Sequence, residues 1–477
     1  MAEFLIILVL IGIVICIMDW RLGMLVCIAV GFLADTARKI IPGEPVYMVI
    51  VVGVFFGIVI FSYYTQYGGI QVKNISMWRN NIKVLFGLFF SWLFYQAIVS
   101  FYFYGSPVII GISLLSYLAP IPAFLIAYYY GFKVTDINRF MKFYVFFAIL
   151  MLSGIYLSYI GYDWNVLKEV GAGVKIYVPG KVLDAYPGFL RSTEGAAWHA
   201  ATAICMLIVL MVSRQTRWPK ILVAAIILLL IGAGLLTGRR KMLMTIIIFA
   251  GFYWVLLFYF KRGASKIMII LILMTGMVGM NVILKEDKRS TFYVSDEFDP
   301  YMQRGATVFE DVGTRSMMGI HAAGWAIYRF GVLGGGLGVA SQGAQHFGGG
   351  SGRFGGAGEG GLGKITAELG LPGLFLVFLI FGAILFNTWQ NMKKIARYDS
   401  PLVPLYYGLV AFLAANIPAF LVATQIFGDL FVLLMLGWTF GLAVSVSDVI
   451  VRTSERDVSA IERNPLYFHR RIPGAAR

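Results

Sequence analysis

Four arginines in this sequence carry the side chains best suited to binding a phosphorylated substrate. They are Arg191, Arg239, Arg240 and Arg315. A guanidinium group stays charged and grips phosphate through two parallel hydrogen bonds, so arginines that converge would suit a diphosphate. The alternative is that these arginines only pair with nearby acids such as Glu194, Glu310 or Asp311.

Two glutamates are the candidate acid–base groups. Glu359 lies in a glycine-rich run, and Glu368 precedes the segment Leu369-Gly370-Leu371-Pro372-Gly373. A carboxylate beside an arginine-bound diphosphate could take the proton of an attacking hydroxyl. Either glutamate could instead be a salt-bridge partner. We predict that Glu359 is the catalytic base, and that Glu368 is structural.

Other residues are candidates for supporting roles: His321, His346, Lys241 and Lys364. The histidines could shuttle a proton, although packed or exposed histidine is the default. The segment 358–364 has the spacing of a phosphate-binding P-loop, but Ile365 stands where that loop requires Ser or Thr. We therefore expect no nucleotide, no metal and no other cofactor.

The composition is that of a membrane protein. Hydrophobic residues make up 59% and charged residues 13% of the 477 residues, and the mean hydropathy is +0.81. Apolar runs of about 20 residues, the length that crosses a bilayer as a helix, recur along the chain. The net charge of +15 is spread over small clusters between these runs, which indicates contact with anionic lipids and no nucleic-acid partner.

We therefore predict an all-α, polytopic bundle of about 12 to 14 transmembrane helices. The candidate spans are 2–18, 22–37, 45–62, 84–104, 107–130, 141–161, 193–212, 219–237, 242–260, 265–284, 371–389, 402–423 and 428–447. Residues 1–284 form the first transmembrane region, 285–370 a large loop, 371–447 the last helices and 448–477 a basic tail.

Every second connection between spans is rich in Lys and Arg, which predicts that these connections and the tail are cytoplasmic. The basic connections contain Lys73, Arg79 and Lys83; Lys133, Arg139 and Lys142; Arg214, Arg217 and Lys220; Lys261, Arg262 and Lys266; and Lys393, Lys394 and Arg397. We then expect the other face to contain the connection 162–192, the turn at 237–241 and the loop 285–370. Arg239, Arg240 and Lys241 break the charge rule there, which suggests a function, unless they only snorkel to lipid head groups.

The large loop is predicted to contain a helix over 308–330, with Met317, Ile320, Ala323 and Trp325 in amphipathic spacing. A glycine-rich run over 331–363 follows. So much glycine lets the backbone move or approach a ligand closely. Long loops of this kind are usually functional or disordered, and the flanking helices favour function.

Residues 185–385 resemble the superfamily of O-antigen ligases and O-antigen or exopolysaccharide polymerases, which are bacterial inner-membrane glycosyltransferases. The resemblance rests on the order of several segments: 191–195, the turn 237–240, Arg315 with Trp325, the glycines of 331–338, and Glu368-Leu369-Gly370-Leu371-Pro372-Gly373-Leu374. One position departs from the ligases. Nine residues before Glu368, where they have the catalytic histidine followed by asparagine, this chain has Glu359 and Gly360.

The resemblance implies an inverting, metal-independent enzyme with a GT-C-like fold. The diphosphate of an undecaprenyl-linked oligosaccharide would be bound by the four arginines, and Glu359 would help the hydroxyl of an acceptor glycan to attack. The glycine run and loop helix would form a mobile roof over the site, in the periplasm. A chain-length-control or export protein would be a further partner.

The departure at Glu359 favours a polysaccharide polymerase, with a ligase that transfers glycan to a lipid A core as the nearest alternative. A lipid-linked glycan flippase or transporter is a rival from another class, but the charges gather at one face and no internal repeat is evident. A non-catalytic scaffold is a third reading.

Overall fold

The computed structural model describes residues 2–70, 75, 80–170, 175–178, 181–260, 301, 312–340, 360–422 and 426–463. The helices are α1 Ala2–Met18, α2 Trp20–Ile40, α3 Val51–Tyr67, α4 Asn80–Tyr104, α5 Pro107–Leu118, α6 Pro120–Tyr130, α7 Val134–Tyr159, α8 Thr193–Val212, α9 Lys220–Leu236, α10 Lys241–Phe260, α11 Val312–Phe330, α12 Gly361–Ile395, α13 Val403–Val422 and α14 Leu430–Arg463. Short 3-10 helices cover Val46–Ile50, Asn165–Leu167 and Ile426–Gly428, and a hairpin pairs β1 Lys175–Val178 with β2 Lys181–Asp184.

The chain is an all-α, multi-pass membrane protein, as its composition predicts. Among the described residues, 10 helical segments are long and apolar enough to cross a bilayer. Two shorter apolar helices, Ile6–Met18 and Lys220–Leu236, coincide with predicted spans. The predicted span 107–130 consists of α5 and α6, which meet at Pro120 and count as one crossing. The predicted span 265–284 lies outside the described residues.

One end of the bundle, which we call the basic face, gathers the connections α1–α2, α6–α7 and α8–α9. Arg21 pairs with Asp136 and donates to the carbonyl of Tyr130 at 3.1 Å. Asn138 Nδ2 donates to Gln215 Oε1 at 2.7 Å. These contacts bring together Lys/Arg-rich connections that are far apart in the sequence, as the predicted alternation requires.

The opposite end, which we call the loop face, is where α2, α7 and α9 end and where α8, α10 and α14 begin. Lys39 Nζ near the end of α2 donates to the carbonyl of Gly188 at 2.9 Å. The N–H of Tyr186 donates to the carbonyl of Leu236, at the end of α9, at 3.3 Å. The described parts of the connection 160–192 therefore pack across the ends of α2 and α9.

Aromatic side chains form the middle of the bundle. Trp438 of α14 meets Phe56 of α3 and Phe140 of α7 in edge-on contacts, with ring centroids 5.5 and 5.9 Å apart. Phe32 of α2 meets Phe431 of α14 in another edge-on contact, with ring centroids 5.1 Å apart. Such pairs stabilise packing by about 1 kcal/mol each beyond the area they bury. They fix α2, α7 and α14 relative to one another, and so fix the charged groups at the ends of α2 and α14.

The helix predicted over 308–330 is α11, with described bounds Val312–Phe330. Its buried positions are the small residues Gly319, Ala322 and Ala326. Met317 and Ile320, which suggested the amphipathic pattern, are both 60% exposed. The apolar residues of the pattern therefore do not make the packing face, because the helix approaches its neighbours through its small residues.

Candidate functional site

Arg191 lies at the loop face between two carboxylates. It forms a close ion pair with Asp429, its Nε is 3.9 Å from Asp35 Oδ1, and its backbone N–H donates to Asp35 Oδ2 at 3.2 Å. The Arg191 side chain is only 19% exposed. Burial disfavours a charged guanidinium, but Asp429 and Asp35 outweigh that cost and raise the pKa of Arg191. The arginine is therefore charged and held in one position.

The turn between α9 and α10 brings Arg239 and Lys241 to the start of α8. Arg239 Nη1 is 3.3 Å and Lys241 Nζ is 3.5 Å from the same oxygen of Glu194. Arg239 Nε also donates to Thr193 Oγ1 at 3.1 Å. Two cations share one carboxylate oxygen, and Arg240 lies between them in the chain, so the turn concentrates positive charge.

Backbone geometry holds this turn in place. The N–H of Gly238, which has a φ of +67°, donates to the carbonyl of Leu235 at 2.8 Å. Thr237 Oγ1 donates to the carbonyl of Gly234 at 2.6 Å and accepts from the N–H of Arg239 at 3.3 Å. The chain then enters α10 at Lys241, so the arginines precede a helix N-terminus, which itself favours an anion.

Thr193 joins the turn to the segment before α8. Its N–H and hydroxyl donate to Glu169 Oε1 at 3.0 and 3.2 Å. The N–H of Val170 donates to the carbonyl of Arg191 at 3.0 Å. Arg191 and Arg239 therefore belong to one polar network at the loop face, which we call the arginine cluster: Asp35, Glu169, Arg191, Thr193, Glu194, Arg239, Arg240, Lys241 and Asp429.

A second polar group surrounds Glu368, which is fully buried in α12. Its Oε2 accepts from Ser113 Oγ at 3.0 Å and from Tyr117 Oη at 2.7 Å, and its Oε1 accepts from the N–H of Gly338 at 3.2 Å. The Lys364 ammonium lies 5.7 Å from the centre of the Tyr117 ring. Glu368 thus has the contacts of a structural residue, although its partners are hydroxyl and amide groups where cations were expected.

The glycine segment 331–340 is docked against α4 and α12. Gln96 and Ser100 of α4 donate to the carbonyls of Leu333 and Leu337, both at 2.6 Å. The N–H of Gly335 donates to the carbonyl of Ala367 at 2.8 Å. These glycines allow close packing on the backbones of α4 and α12, which was not one of the two uses predicted for them, movement and close approach to a ligand.

A break in α12 receives this segment. Gly370 has a φ of +66° and a ψ of −171°, so the helix is interrupted there, just before Pro372. The N–H of Leu371 donates to the carbonyl of Val332 at 2.8 Å. A side chain on Gly334 would approach the Gly370 nitrogen to 2.5 Å. The sequence around 368–374 is therefore explained by the need to interlock two backbones.

The end of helix α13 lies beside Gly360 and beside the segment that precedes Asp429. Its Leu421 carbonyl lies 2.9 Å from where Gly360 would carry a Cβ. Phe420 meets Phe427 with ring centroids 5.3 Å apart, and Phe427 is two residues before Asp429, the partner of Arg191. Gly360, the first described residue after Glu359, therefore lies near the same end of the bundle as the arginine cluster.

No protein-family model and no curated protein matches the chain. The function is therefore inferred from its own residues.

The candidate residues fall into two groups in the structure. Arg191, Arg239, Arg240 and Lys241 come together at the loop face, whereas Glu368 and Lys364 belong to the separate group around α12. His321 is exposed on α11, and Arg315 lies on the same helix with its side chain outside the described residues. Glu359 and His346 also lie outside them. Within the described part of the chain, no three His, Cys, Asp or Glu side chains could hold a metal ion.

Sequence reasoning overlooked the acids that hold Arg191. Asp35 lies near the end of α2 but inside the predicted apolar span 22–37, and an ionisable residue in such a run is a signal for function or for a buried partner. Asp429 precedes α14, where its Oδ1 accepts from the N–H of Val432 at 3.1 Å. That is the position of an N-cap residue, which is recognisable from Asp before an apolar helix.

The Asp429–Arg191 pair gives a stability prediction. Asp429→Asn keeps a good N-cap, but it leaves the largely buried Arg191 with less compensating charge. We expect the free energy of unfolding to fall by about 3 kcal/mol, because removing one partner of a buried ion pair leaves the other charge uncompensated in surroundings of low polarity. The readout is the midpoint of thermal unfolding of the purified protein in detergent.

The matched control is Asp163→Asn. Asp163 pairs with Lys168 at 2.9 Å at the same face, but the two side chains are 79% and 56% exposed. An exposed pair contributes less than about 1 kcal/mol. Equal midpoints of thermal unfolding for Asp429→Asn and Asp163→Asn would show that Asp429 does not hold Arg191.

Proposed function

We propose that this chain is a bacterial inner-membrane glycosyltransferase that polymerises a surface or secreted polysaccharide. Its donor is an undecaprenyl-diphosphate-linked oligosaccharide, and its acceptor is a hydroxyl of a growing glycan. The observation that carries the proposal is the arginine cluster, which brings Arg191 and the turn Arg239–Lys241 together at the face opposite the basic connections. The charge rule assigns the basic face to the cytoplasm and the loop face to the periplasm.

The side chains of the arginine cluster have the charge and the hydrogen-bond donors that binding of a diphosphate requires. Arg239 and Arg240 are adjacent, planar donors that can each bind two phosphate oxygens. They precede the N-terminus of α10, where backbone N–H groups and the helix dipole also favour anions. Arg191 is fixed by two carboxylates that offset its charge, so its role is to position the cluster. Arg315, which lies on α11, is the fourth arginine proposed to bind the diphosphate.

The reaction follows from these groups. The acceptor hydroxyl attacks the anomeric carbon of the donor sugar from the side opposite the diphosphate, so the configuration inverts. A carbon–oxygen bond forms to the acceptor, and the bond from the anomeric carbon to the diphosphate oxygen breaks. Glu359 accepts the hydroxyl proton. Undecaprenyl diphosphate leaves with both electrons, and the arginines stabilise the charge that develops on it.

Glu368 supports the site by holding the glycine segment. It accepts from the N–H of Gly338, and α12 continues from Gly360, next to Glu359 in the chain. Loss of this carboxylate would release the glycine segment from α12, the helix that begins next to the proposed base. Glu368 is therefore a positioning residue in this mechanism.

Complementation of a deletion strain with Glu359→Gln tests the proposal. We expect single lipid-linked repeat units to accumulate and polymer to fall by a factor of about 100 or more, since general-base catalysis contributes at least that much. The matched control is Glu44→Gln, which changes a glutamate at the loop face outside the cluster and should leave polymer unchanged. Polymer at the wild-type level in Glu359→Gln would reject the enzyme assignment. If deletion leaves full-length polymer on its lipid carrier, the chain is a ligase.

A further inference from the structure

A groove at the basic face runs along the first turns of α7. The residues that line it share one side of that helix: Thr135, Asn138, Arg139, Lys142, Phe143 and Phe146. Its volume is about 570 Å³, which lies within the range of small-ligand sites. It is at the opposite end of the bundle from the arginine cluster, so the proposed transferase reaction does not use it.

Charged and apolar side chains occupy different levels of this groove. Arg139 is exposed and Lys142 half-buried, and they lie three residues apart near the start of the helix. Phe143 is half-buried, and Phe146 is 59% exposed, one turn further into the membrane span. A helical turn rises about 5.4 Å. Phe143 directly follows Lys142 and marks the boundary between the two levels. Arg139 and Lys142 therefore lie toward the lipid head groups, and Phe146 lies toward the acyl carbons.

The neighbouring elements add positive charge and no competing acid. Asn138 donates to Gln215 at 2.7 Å, which brings the α8–α9 connection and its exposed Arg214 beside the groove. Asp136, the acid of α7 nearest to the groove, is paired with Arg21. In the part of the chain that the structure describes, no acid forms an ion pair with Arg139 or Lys142. The groove is thus positively charged at its mouth and apolar along its length.

We infer that this groove binds one anionic phospholipid. Its phosphate is held by Arg139 and Lys142, and its acyl chain lies along Phe143 and Phe146. The occupant is a lipid of the bilayer and not a peptide or a nucleic acid, because the groove continues from the charged face into the membrane-facing surface of α7. The site fixes the start of α7, and α7 leads at its other end into the connection that packs on the arginine cluster.

Native mass spectrometry of the full-length protein tests this inference, with phosphatidylglycerol and phosphatidylcholine as the added lipids. A cation near a lipid surface contributes roughly fivefold in affinity. We expect Arg139→Gln/Lys142→Gln to weaken phosphatidylglycerol binding by about tenfold or more and to weaken phosphatidylcholine binding less, because its choline group offsets the phosphate charge. If the double variant does not fold, Lys142→Gln alone should show a loss of about fivefold.

The matched control is Lys393→Gln/Lys394→Gln, which removes two exposed cations at the end of α12 on the same face. Phosphatidylglycerol binding should be retained in this control. Equal losses in both double variants would mean that only the overall surface charge attracts the lipid. Equal binding of the two lipids by the unmodified protein would also overturn the inference.

Discussion

Replacing Arg240 by alanine is expected to reduce the rate of polymer formation about 100-fold, because one preformed donor to a developing anion is worth that much. Arg240 lies between Arg239 and Lys241, whose cations both meet Glu194. A diphosphate leaving group needs several such donors at the moment when its charge appears. The measurement is the rate of polymer synthesis in membrane vesicles that contain equal amounts of each variant.

Arg240→Lys separates charge from geometry. Lysine keeps the positive charge but cannot make two parallel hydrogen bonds to phosphate, so we expect activity between that of alanine and that of arginine. Arg217→Ala is the matched control, because Arg217 is an exposed arginine in an interhelical connection at the basic face. If Arg217→Ala and Arg240→Ala lower the rate equally, the effect comes from membrane charge and not from a site.

The second large effect is expected at Gly370, where alanine should prevent stable assembly of α12 with the glycine segment. The backbone there has a φ of +66°, and a Cβ would lie 2.3 Å from the carbonyl carbon of Leu333 and 2.4 Å from the carbonyl oxygen of Val332. With a ψ of −171° as well, this backbone lies in a region that essentially only glycine adopts, which alone costs about 1 to 3 kcal/mol for a residue with a side chain. The clash is with backbone, which cannot rotate away, so the total cost is larger.

The same helix provides the control for this variant. Gly382 has nothing within 4 Å of where its Cβ would lie, and alanine is favoured over glycine inside a helix by about 1 kcal/mol. Gly382→Ala should therefore leave the yield of monodisperse protein unchanged or raise it, whereas Gly370→Ala should lower both the yield and the unfolding midpoint. Equal behaviour of the two variants would show that the glycine segment is not interlocked with α12.

Much of the fold was predictable because the bilayer imposes it. A helix in lipid must satisfy its own backbone, so apolar length alone located the spans, and loop charge separated the two faces. The break at Gly370 was not predicted. It depends on the glycine segment about 35 residues earlier in the sequence, and its cause is a backbone contact that no local pattern shows.

The candidate site was predictable in part. Arg239, Arg240 and Lys241 run against the charge rule on the face predicted to be translocated, and that anomaly directed attention to their turn, which lies beside the start of α8. The two partners of Arg191, Asp35 and Asp429, are 394 residues apart in the sequence, so only the packed bundle reveals them. For Glu368 the predicted kind of partner was wrong. The sequence suggested a cation, whereas the carboxylate accepts hydrogen bonds from Ser113, Tyr117 and a backbone amide.

Binding of undecaprenyl diphosphate to the purified protein, compared with binding of undecaprenyl monophosphate by native mass spectrometry, tests the arginine cluster most directly. The unmodified protein should prefer the diphosphate, Arg239→Gln/Arg240→Gln should lose that preference, and Arg214→Gln/Arg217→Gln at the basic face should keep it. Retention of the diphosphate by the Arg239→Gln/Arg240→Gln protein at the unmodified level would contradict the central claim that these arginines bind the lipid-linked donor.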